Sequence, residues 1–209
     1  EISRQAGEIA RESGAVFVAG SIGPTGEFFA PVGSLNAEEA REAFAEQAKG
    51  LADGGVDVLV IETMSDLKEV EAAIQGARES TDLPILCTMT FQQKLHTVMG
   101  VNARDAASTL SGWGVAAMGA NCGTGPEEVE KVLEQMKQIS PQAVLMAKPN
   151  AGVPRLVQGR TEYSASPESM AQYAQRFADL GVRIIGACCG STPEHIAAMA
   201  RALGKPSAL

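Results

Sequence analysis

The stretch GLADGGVDVLVIETMSDLKE, residues 50–69, contains one complete repeat of the organisation of this chain. A helical pattern ends at two glycines, an apolar run follows over 56–62, and a new helical pattern begins at Leu67. The apolar run is continuous rather than alternating, which is typical of a strand buried on both faces, as in a parallel sheet. This stretch therefore indicates an α/β protein built from βα units.

The same pattern recurs along the whole chain after a first helical segment that contains Ile2 and Ile9. Six strands are expected, at 15–20, 56–62, 84–91, 115–121, 143–150 and 182–189. Helices are expected at about 37–53, 67–80, 103–110, 126–139 and 167–180, and from Pro193 onward.

Two architectures fit this order, a (β/α)8 barrel of the TIM type and a doubly wound open sheet. An open sheet that binds nucleotides would need a glycine-rich phosphate turn after an early strand. The glycines of GSIGPTG, residues 20–26, lack both the GxGxxG spacing and the helix start that should follow it. The barrel has its own difficulty, because only six strands are predicted and eight are needed to close it.

Composition narrows the class of protein. With 209 residues, 45% of them apolar and 20% charged, the chain is expected to form one domain over 1–209 with a sizeable core. A net charge of −8 without a basic stripe disfavours nucleic acid and anionic membranes as partners. The chain has four cysteines and shows neither a secretion signal nor an apolar run long enough to span a membrane. We therefore expect reduced thiols and a cytoplasmic protein.

Polar residues and cysteines follow the predicted strands, at the end where a barrel holds its active site. Cys87 lies within a strand and is expected to be a small core residue, and His96, His195 and Trp113 are expected to be solvated or to pack against the fold. The strand-end candidates are Ser21, Gly23, Glu62, Thr90, Asn121, Cys122, Lys148, Pro149, Asn150, Cys188 and Cys189.

Two of these strand ends carry cysteines in motifs of similar form, GANCGTG at 119–125 and GACCG at 186–190. Thiolates from two separate segments suit a tetrahedral zinc ion with an open fourth position. The spacing differs from the CxxC pairs of most zinc sites that can be recognised in sequences. From the residues alone, a zinc site and a pair of small core residues both remain open.

Five segments together resemble the homocysteine S-methyltransferase family, most of all the homocysteine-binding domain of cobalamin-dependent methionine synthase. This resemblance implies a (β/α)8 barrel that holds Zn²⁺ through three cysteines, which here are Cys122, Cys188 and Cys189. The segments are GSIGPTG, DVLVIETMSDLKE, GANCGTGPEEV, KPNAGVP and IIGACCGSTPEHI.

The resemblance also implies roles for residues around the metal. The homocysteine thiol would take the fourth position on zinc, and Asn150 would fill that position when substrate is absent. Glu62 would bind the homocysteine amino group. The alternative is that Glu62 is a strand-end carboxylate that only caps the next helix. Ser21 is a further candidate for substrate binding. Asp66 is expected to cap a helix, and Asn121 to shape the cysteine loop.

The implied reaction is zinc-dependent transfer of a methyl group to homocysteine, which forms methionine. Methylcobalamin, supplied by another domain or protein, is the expected donor, with S-methylmethionine or betaine as alternatives. The family's first strand with its DG motif and the second with its TNTF-like motif are not found, so about two βα units are expected to be absent from the front of the barrel. The alternative function is therefore a zinc-binding or structural barrel fragment without turnover.

Overall fold

The computed structural model describes residues 1–205, which form two compact units, one over Glu1–Thr88 and the other from Met89 onward. We call them the N-terminal and C-terminal units. None of the helices within residues 1–205 has both the length and the apolar character that are needed to cross a membrane.

The N-terminal unit alternates helices and strands. Its strands follow one another in the sheet in chain order, and the first two are parallel, with Ala19 opposite Val58. Leu59 and Ile61 are fully buried, as expected for a strand covered on both faces. The elements are α1 (Ile2–Glu12), β1 (Ala19–Ile22), α2 (Ala37–Asp53), β2 (Val58–Met64), α3 (Leu67–Ser80) and β3 (Ile85–Met89).

Two helices of this unit begin at residues whose side chains cap them. The Asn36 side chain accepts a hydrogen bond from the backbone N–H of Glu39, and Asp66 accepts one from Lys68. These bonds satisfy backbone donors that have no partner inside the first turn of a helix. The predicted cap role of Asp66 is confirmed.

The predicted strand at 15–20 is wrong in its first half. The strand is Ala19–Ile22, and the side chains of Val16 and Phe17 are 85% and 77% exposed. The Val18 backbone N–H donates a hydrogen bond to the Asp57 carboxylate at 2.7 Å. Its acceptor is therefore a side chain and not the backbone of a neighbouring strand. The apolar residues before Val18 therefore belong to a connection.

The C-terminal unit carries the cysteine motifs. Three of its strands are parallel neighbours, in the order β4 (Ala117–Cys122), β5 (Leu145–Pro149) and β8 (Ile184–Ile185). Cys122 lies opposite Pro149, and Met146 lies opposite Ile184. The elements are a 3-10 turn (Gln93–Leu95), α4 (Ala103–Gly112), β4 (Ala117–Cys122), α5 (Pro126–Ile139), β5 (Leu145–Pro149), β6 (Pro154–Val157), β7 (Arg160–Tyr163), α6 (Pro167–Leu180), β8 (Ile184–Ile185) and α7 (Pro193–Ala202).

Strand β8 is much shorter than the predicted run at 182–189, but its continuation stays beside β5. The Gly186 N–H donates to the Ala147 carbonyl at 2.9 Å, and the Cys188 N–H donates to the Pro149 carbonyl at 2.8 Å. The chain therefore follows β5 as far as the paired cysteines, which places them at the same strand end as Cys122.

The hairpin β6–β7 was not predicted. Its strands pair antiparallel, and its turn residues Gln158 and Gly159 both have positive φ angles, 48° and 77°. Positive φ at both positions is the geometry of the two-residue turns that join antiparallel strands. Seven of the eight strand residues are exposed, so no apolar alternation marks the hairpin in the sequence.

Candidate metal centre

The sulfur atoms of Cys122, Cys188 and Cys189 lie together in the C-terminal unit. The distance from Cys122 Sγ to Cys188 Sγ is 3.1 Å, that from Cys122 to Cys189 is 3.7 Å, and that from Cys188 to Cys189 is 3.9 Å. All three thiols are free, the first two are partly buried, and Cys189 is exposed. The two cysteine motifs, 66 residues apart in the chain, thus converge on one point.

This donor set fits a tetrahedral zinc ion. A Zn–S bond of about 2.3 Å places two sulfur ligands of a tetrahedron about 3.8 Å apart. Two of the three sulfur–sulfur distances, 3.7 Å and 3.9 Å, match this value. The distance between Cys122 Sγ and Cys188 Sγ, 3.1 Å, would have to increase to reach it. Three thiolates leave the fourth corner of the tetrahedron open, which is the arrangement of a reactive rather than a closed structural site.

The backbone at the end of β4 turns sharply to present Cys122. Its φ angle is 56°, in the left-handed region that non-glycine residues rarely adopt. Such a conformation costs roughly 1–3 kcal/mol and persists only where the surroundings hold it. The Thr90 hydroxyl donates to the Asn121 carbonyl at 3.1 Å, and the Asn121 side-chain amide lies 3.9 Å from Cys188 Sγ.

Asn150 joins the two cysteine loops through its amide group. Its Nδ2 donates to the Gly123 carbonyl at 3.0 Å, and its Oδ1 accepts the Cys189 backbone N–H at 3.0 Å. The side chain is only 5% exposed, so both bonds lie away from bulk water. One buried amide therefore fixes the residue after Cys122 relative to Cys189.

The thiols do not ionise independently. The hydrogen bond from Cys122 lowers the pKa of Cys188 to about 5, whereas the same bond raises the pKa of Cys122 far above its ordinary value. Cys188 is therefore the first of this pair to ionise, and a second thiolate beside it requires a positive charge to offset the repulsion. A divalent cation supplies such a charge.

A second pair of predicted site residues meets in the N-terminal unit. The Ser21 hydroxyl donates to Glu62 Oε1 at 2.6 Å, so the end of β1 is joined to the end of β2. Ser21 is exposed and Glu62 is partly buried. The pair thus presents a carboxylate that is already oriented by a neighbouring hydroxyl.

The structure also contains a carboxylate contact that sequence reasoning missed. Glu69 on α3 is 4% exposed and accepts hydrogen bonds from the Thr25 backbone N–H at 2.8 Å and the Thr25 hydroxyl at 2.7 Å. These bonds tie the loop GSIGPTG to α3. A glutamate in the first turn of a helix is ordinary in sequence, so no signal there could have indicated the contact.

The residues that were expected to be structural have structural contacts. Cys87 is fully buried, as predicted, and that burial raises its pKa to about 12. His195 is 8% exposed, with Nδ1 accepting the Thr192 N–H and Nε2 within 3.0 Å of the Ala165 carbonyl. His96 is exposed, and Trp113 is partly buried.

Two curated relatives are methionine synthases. The chain is 31% identical over 195 residues to the enzyme from Mycobacterium leprae and 32% identical over 193 residues to the enzyme from Mycobacterium tuberculosis. Each alignment covers 90% of this chain, and the chain spans 16% of each relative's length.

Solved structures of the homocysteine methyltransferase MmuM from Escherichia coli are similar in fold. The apo form aligns with a TM-score of 0.79 at 24% identity, over 96% of this chain and 73% of that one. The metallated form aligns with a TM-score of 0.74 at 24% identity, over 95% and 69%. The predicted α/β class of the TIM-barrel type is thereby confirmed over the open-sheet alternative.

The sequence as a whole matches a described family. The model of homocysteine S-methyltransferases covers residues 1–203 of the 209. This range includes all three cysteines of the candidate metal centre and both carboxylates described above. The chain belongs to the homocysteine S-methyltransferase family.

Proposed function

We propose that this chain binds Zn²⁺ through Cys122, Cys188 and Cys189 and takes part in methyl transfer to the thiol of homocysteine, which forms methionine. The observation that carries the proposal is the convergence of three sulfur atoms within 3.1–3.9 Å of one another. Membership in the family supports homocysteine as the acceptor.

The charge of the donor set suits thiol activation. A thiol must lose its proton to become a good nucleophile, and an ordinary thiol has a pKa of about 8.5. Zinc, when bound, would lower the pKa of a substrate thiol at the open position. Three cysteinates leave the centre with a net negative charge, which keeps the sulfur electron-rich.

The balance of the transfer step is simple. The sulfur lone pair forms the new S–C bond, the donor keeps the electrons of the bond that breaks, and the thiol proton goes to solvent. No side chain has to remove a proton from the methyl group. The chain's task is to hold and orient the acceptor sulfur.

We assign recognition of the homocysteine amino group to Glu62. A carboxylate binds an ammonium group through a charge-assisted hydrogen bond, which is about twice as strong as a neutral one. The hydrogen bond from Ser21 at 2.6 Å supports this role, because it orients the carboxylate before substrate arrives. Ser21 contributes to this recognition by orienting the Glu62 carboxylate.

Asn150 is proposed to hold the two cysteine loops together and to occupy the fourth position on zinc when substrate is absent. Asn150→Ala should lower the free energy of unfolding by about 2 kcal/mol, because the Cys189 N–H and the Gly123 carbonyl both lose a buried partner. Zinc affinity should fall about tenfold or more. Urea unfolding and competition with a chelator measure the two effects.

Asn36→Ala is the matched control for that variant. It removes a helix cap in the N-terminal unit and should cost about 1 kcal/mol of stability without changing zinc affinity. Equal zinc affinity in the two variants would contradict the proposed role of Asn150.

The proposed methyl donor is methylcobalamin carried by another domain or protein. The likeness to methionine synthases, of which the chain spans 16%, supports this choice over S-methylmethionine or betaine. The test is to incubate the zinc-loaded chain with homocysteine and each donor in turn and to measure methionine by mass spectrometry. Methionine from methylcobalamin, lost in Cys188→Ser, is expected. A folded chain that binds zinc and homocysteine but forms no methionine with any donor would be a binding fragment without turnover.

A further inference from the structure

The loop GSIGPTG, residues 20–26, is anchored by a buried carboxylate that the proposed reaction does not use. Glu69 lies in the first turn of α3 and is 4% exposed. Its Oε1 accepts hydrogen bonds from the Thr25 backbone N–H at 2.8 Å and from the Thr25 hydroxyl at 2.7 Å. Burial of a carboxylate is unfavourable unless such donors replace the water that it loses. The contact therefore fixes Thr25 relative to α3.

The hydroxyl that orients Glu62 belongs to the same loop. Ser21 Oγ donates to Glu62 Oε1 at 2.6 Å, and three residues separate Ser21 from Thr25. The first of these, Ile22, is fully buried, and the third, Pro24, has a φ angle that its ring restricts. The loop is therefore held at two points, each of them by a carboxylate, with a short and restricted segment between them.

The two carboxylates lie seven residues apart on one connection, which runs from the end of β2 to the first turn of α3. Thr63, which follows Glu62, has a φ angle of 66°, in the left-handed region that β-branched residues rarely adopt. Such a conformation persists only where the surrounding contacts hold it, and it is most frequent at binding and active sites. On the helix side, Met64 is fully buried and Asp66 caps α3. The connection therefore holds Glu62 and Glu69 in a fixed relation to each other.

We propose that Glu69 is a positioning residue for homocysteine binding. By anchoring the loop at Thr25, it holds the Ser21 hydroxyl against Glu62 and so orients that carboxylate toward the substrate amino group. The inference rests on the proposed recognition of the amino group by Glu62. A carboxylate that is oriented before the substrate arrives loses less conformational freedom on binding, which increases the affinity.

The first test is the affinity of the zinc-loaded chain for L-homocysteine, measured by calorimetric titration. Glu69→Ala should weaken binding about two- to fivefold, and by no more than Ser21→Ala, because it acts through the Ser21 hydroxyl. In a Ser21→Ala background the same change should have no further effect, since two residues that act through one contact are not additive. Unchanged affinity in Glu69→Ala, or a full further loss in the double variant, would overturn the proposal.

Two control variants separate positioning from the stability of α3. Asp66→Ala removes the cap of the same helix without touching the loop and should leave homocysteine affinity unchanged. Thr25→Ser keeps both donors to Glu69 and should bind like wild type, whereas Thr25→Val loses the hydroxyl and should bind more weakly. An equal loss of affinity in Asp66→Ala and Glu69→Ala would overturn the role of Glu69.

A measurement without metal or ligand separates this proposal from that of Glu62. Hydrogen exchange of the metal-free chain, mapped by mass spectrometry over residues 20–27, should be about fivefold or more faster in Glu69→Ala than in wild type or Asp66→Ala. This faster exchange, combined with unchanged homocysteine affinity in Glu62→Gln, would contradict the role of Glu62 but support the anchoring of the loop. An unchanged exchange rate would overturn the role of Glu69, whatever the affinities.

Discussion

Cys188→Ser is expected to remove zinc from the protein, from about one ion per chain to less than about one tenth. The serine hydroxyl does not ionise near neutral pH and cannot replace a thiolate on zinc. The variant leaves Cys122 and Cys189, whose sulfurs are 3.7 Å apart, as the two remaining thiolates. Atomic emission on the purified, reduced protein measures the metal content.

Cys87→Ala is the matched control, because it removes the one cysteine that lies outside the proposed metal centre. Cys87 is fully buried, and burial raises its pKa to about 12, so it does not offer a thiolate to a metal. The control should keep its zinc. Full zinc content in Cys188→Ser, or loss of zinc in Cys87→Ala, would be incompatible with the three-cysteine centre.

Glu62→Gln is expected to weaken homocysteine binding by about 10- to 100-fold, because a hydrogen bond to a charged group contributes about 1.5–3 kcal/mol. Zinc content should not change, because Glu62 is not one of the proposed ligands. Calorimetric titration of the zinc-loaded chain with L-homocysteine measures the affinity. Ser21→Ala, which removes the neighbouring hydroxyl but keeps the carboxylate, should have a smaller effect of severalfold.

The ligand itself supplies the sharper control for this prediction. 4-Mercaptobutanoate is homocysteine without the amino group. If Glu62 binds that group, wild type and Glu62→Gln should bind 4-mercaptobutanoate equally well. A loss of affinity for both ligands in Glu62→Gln would instead assign Glu62 to the shape of the site.

The helices were predicted well where the sequence carries local signals. Helices α2, α3, α5 and α6 have the bounds that were expected, because capping residues or a first-turn proline mark their starts. Strand ends carry weaker signals. Val16 and Phe17 have the apolar character of a strand, but their side chains are exposed. They lie before the strand, because the backbone N–H of Val18 donates to the Asp57 side chain instead of to a neighbouring strand.

The convergence of the cysteines was predictable because parallel strands align their carboxyl ends. Cys122 ends β4, and the chain before Cys188 follows the neighbouring β5, so topology alone brings the two motifs to one edge. The contacts that orient them were less accessible to prediction. Asn150 bridges the loops through two backbone groups, which no side-chain pattern in the sequence indicates.

Tyr163 shows the limit of sequence reasoning most clearly. It lies on an exposed hairpin with no apolar alternation, 27 residues before Gly190, over which its ring lies. Its contact depends on a turn at Gln158 and Gly159 and on the close approach of the ring to Gly190. The turn is a local feature that its sequence marks only weakly, whereas the approach of the ring to Gly190 is tertiary, and glycine after a cysteine pair is open to several interpretations.

Zinc K-edge X-ray absorption, before and after addition of L-homocysteine, can determine whether three cysteines hold the zinc ion and whether the substrate thiol binds to it. Zinc in the loaded protein is expected to have three sulfur neighbours at about 2.3 Å and one nitrogen or oxygen neighbour. Addition of homocysteine should change this to four sulfur neighbours. Fewer than three sulfurs at the start, or a sulfur count that homocysteine leaves unchanged, would contradict a three-cysteine centre that binds the substrate thiol.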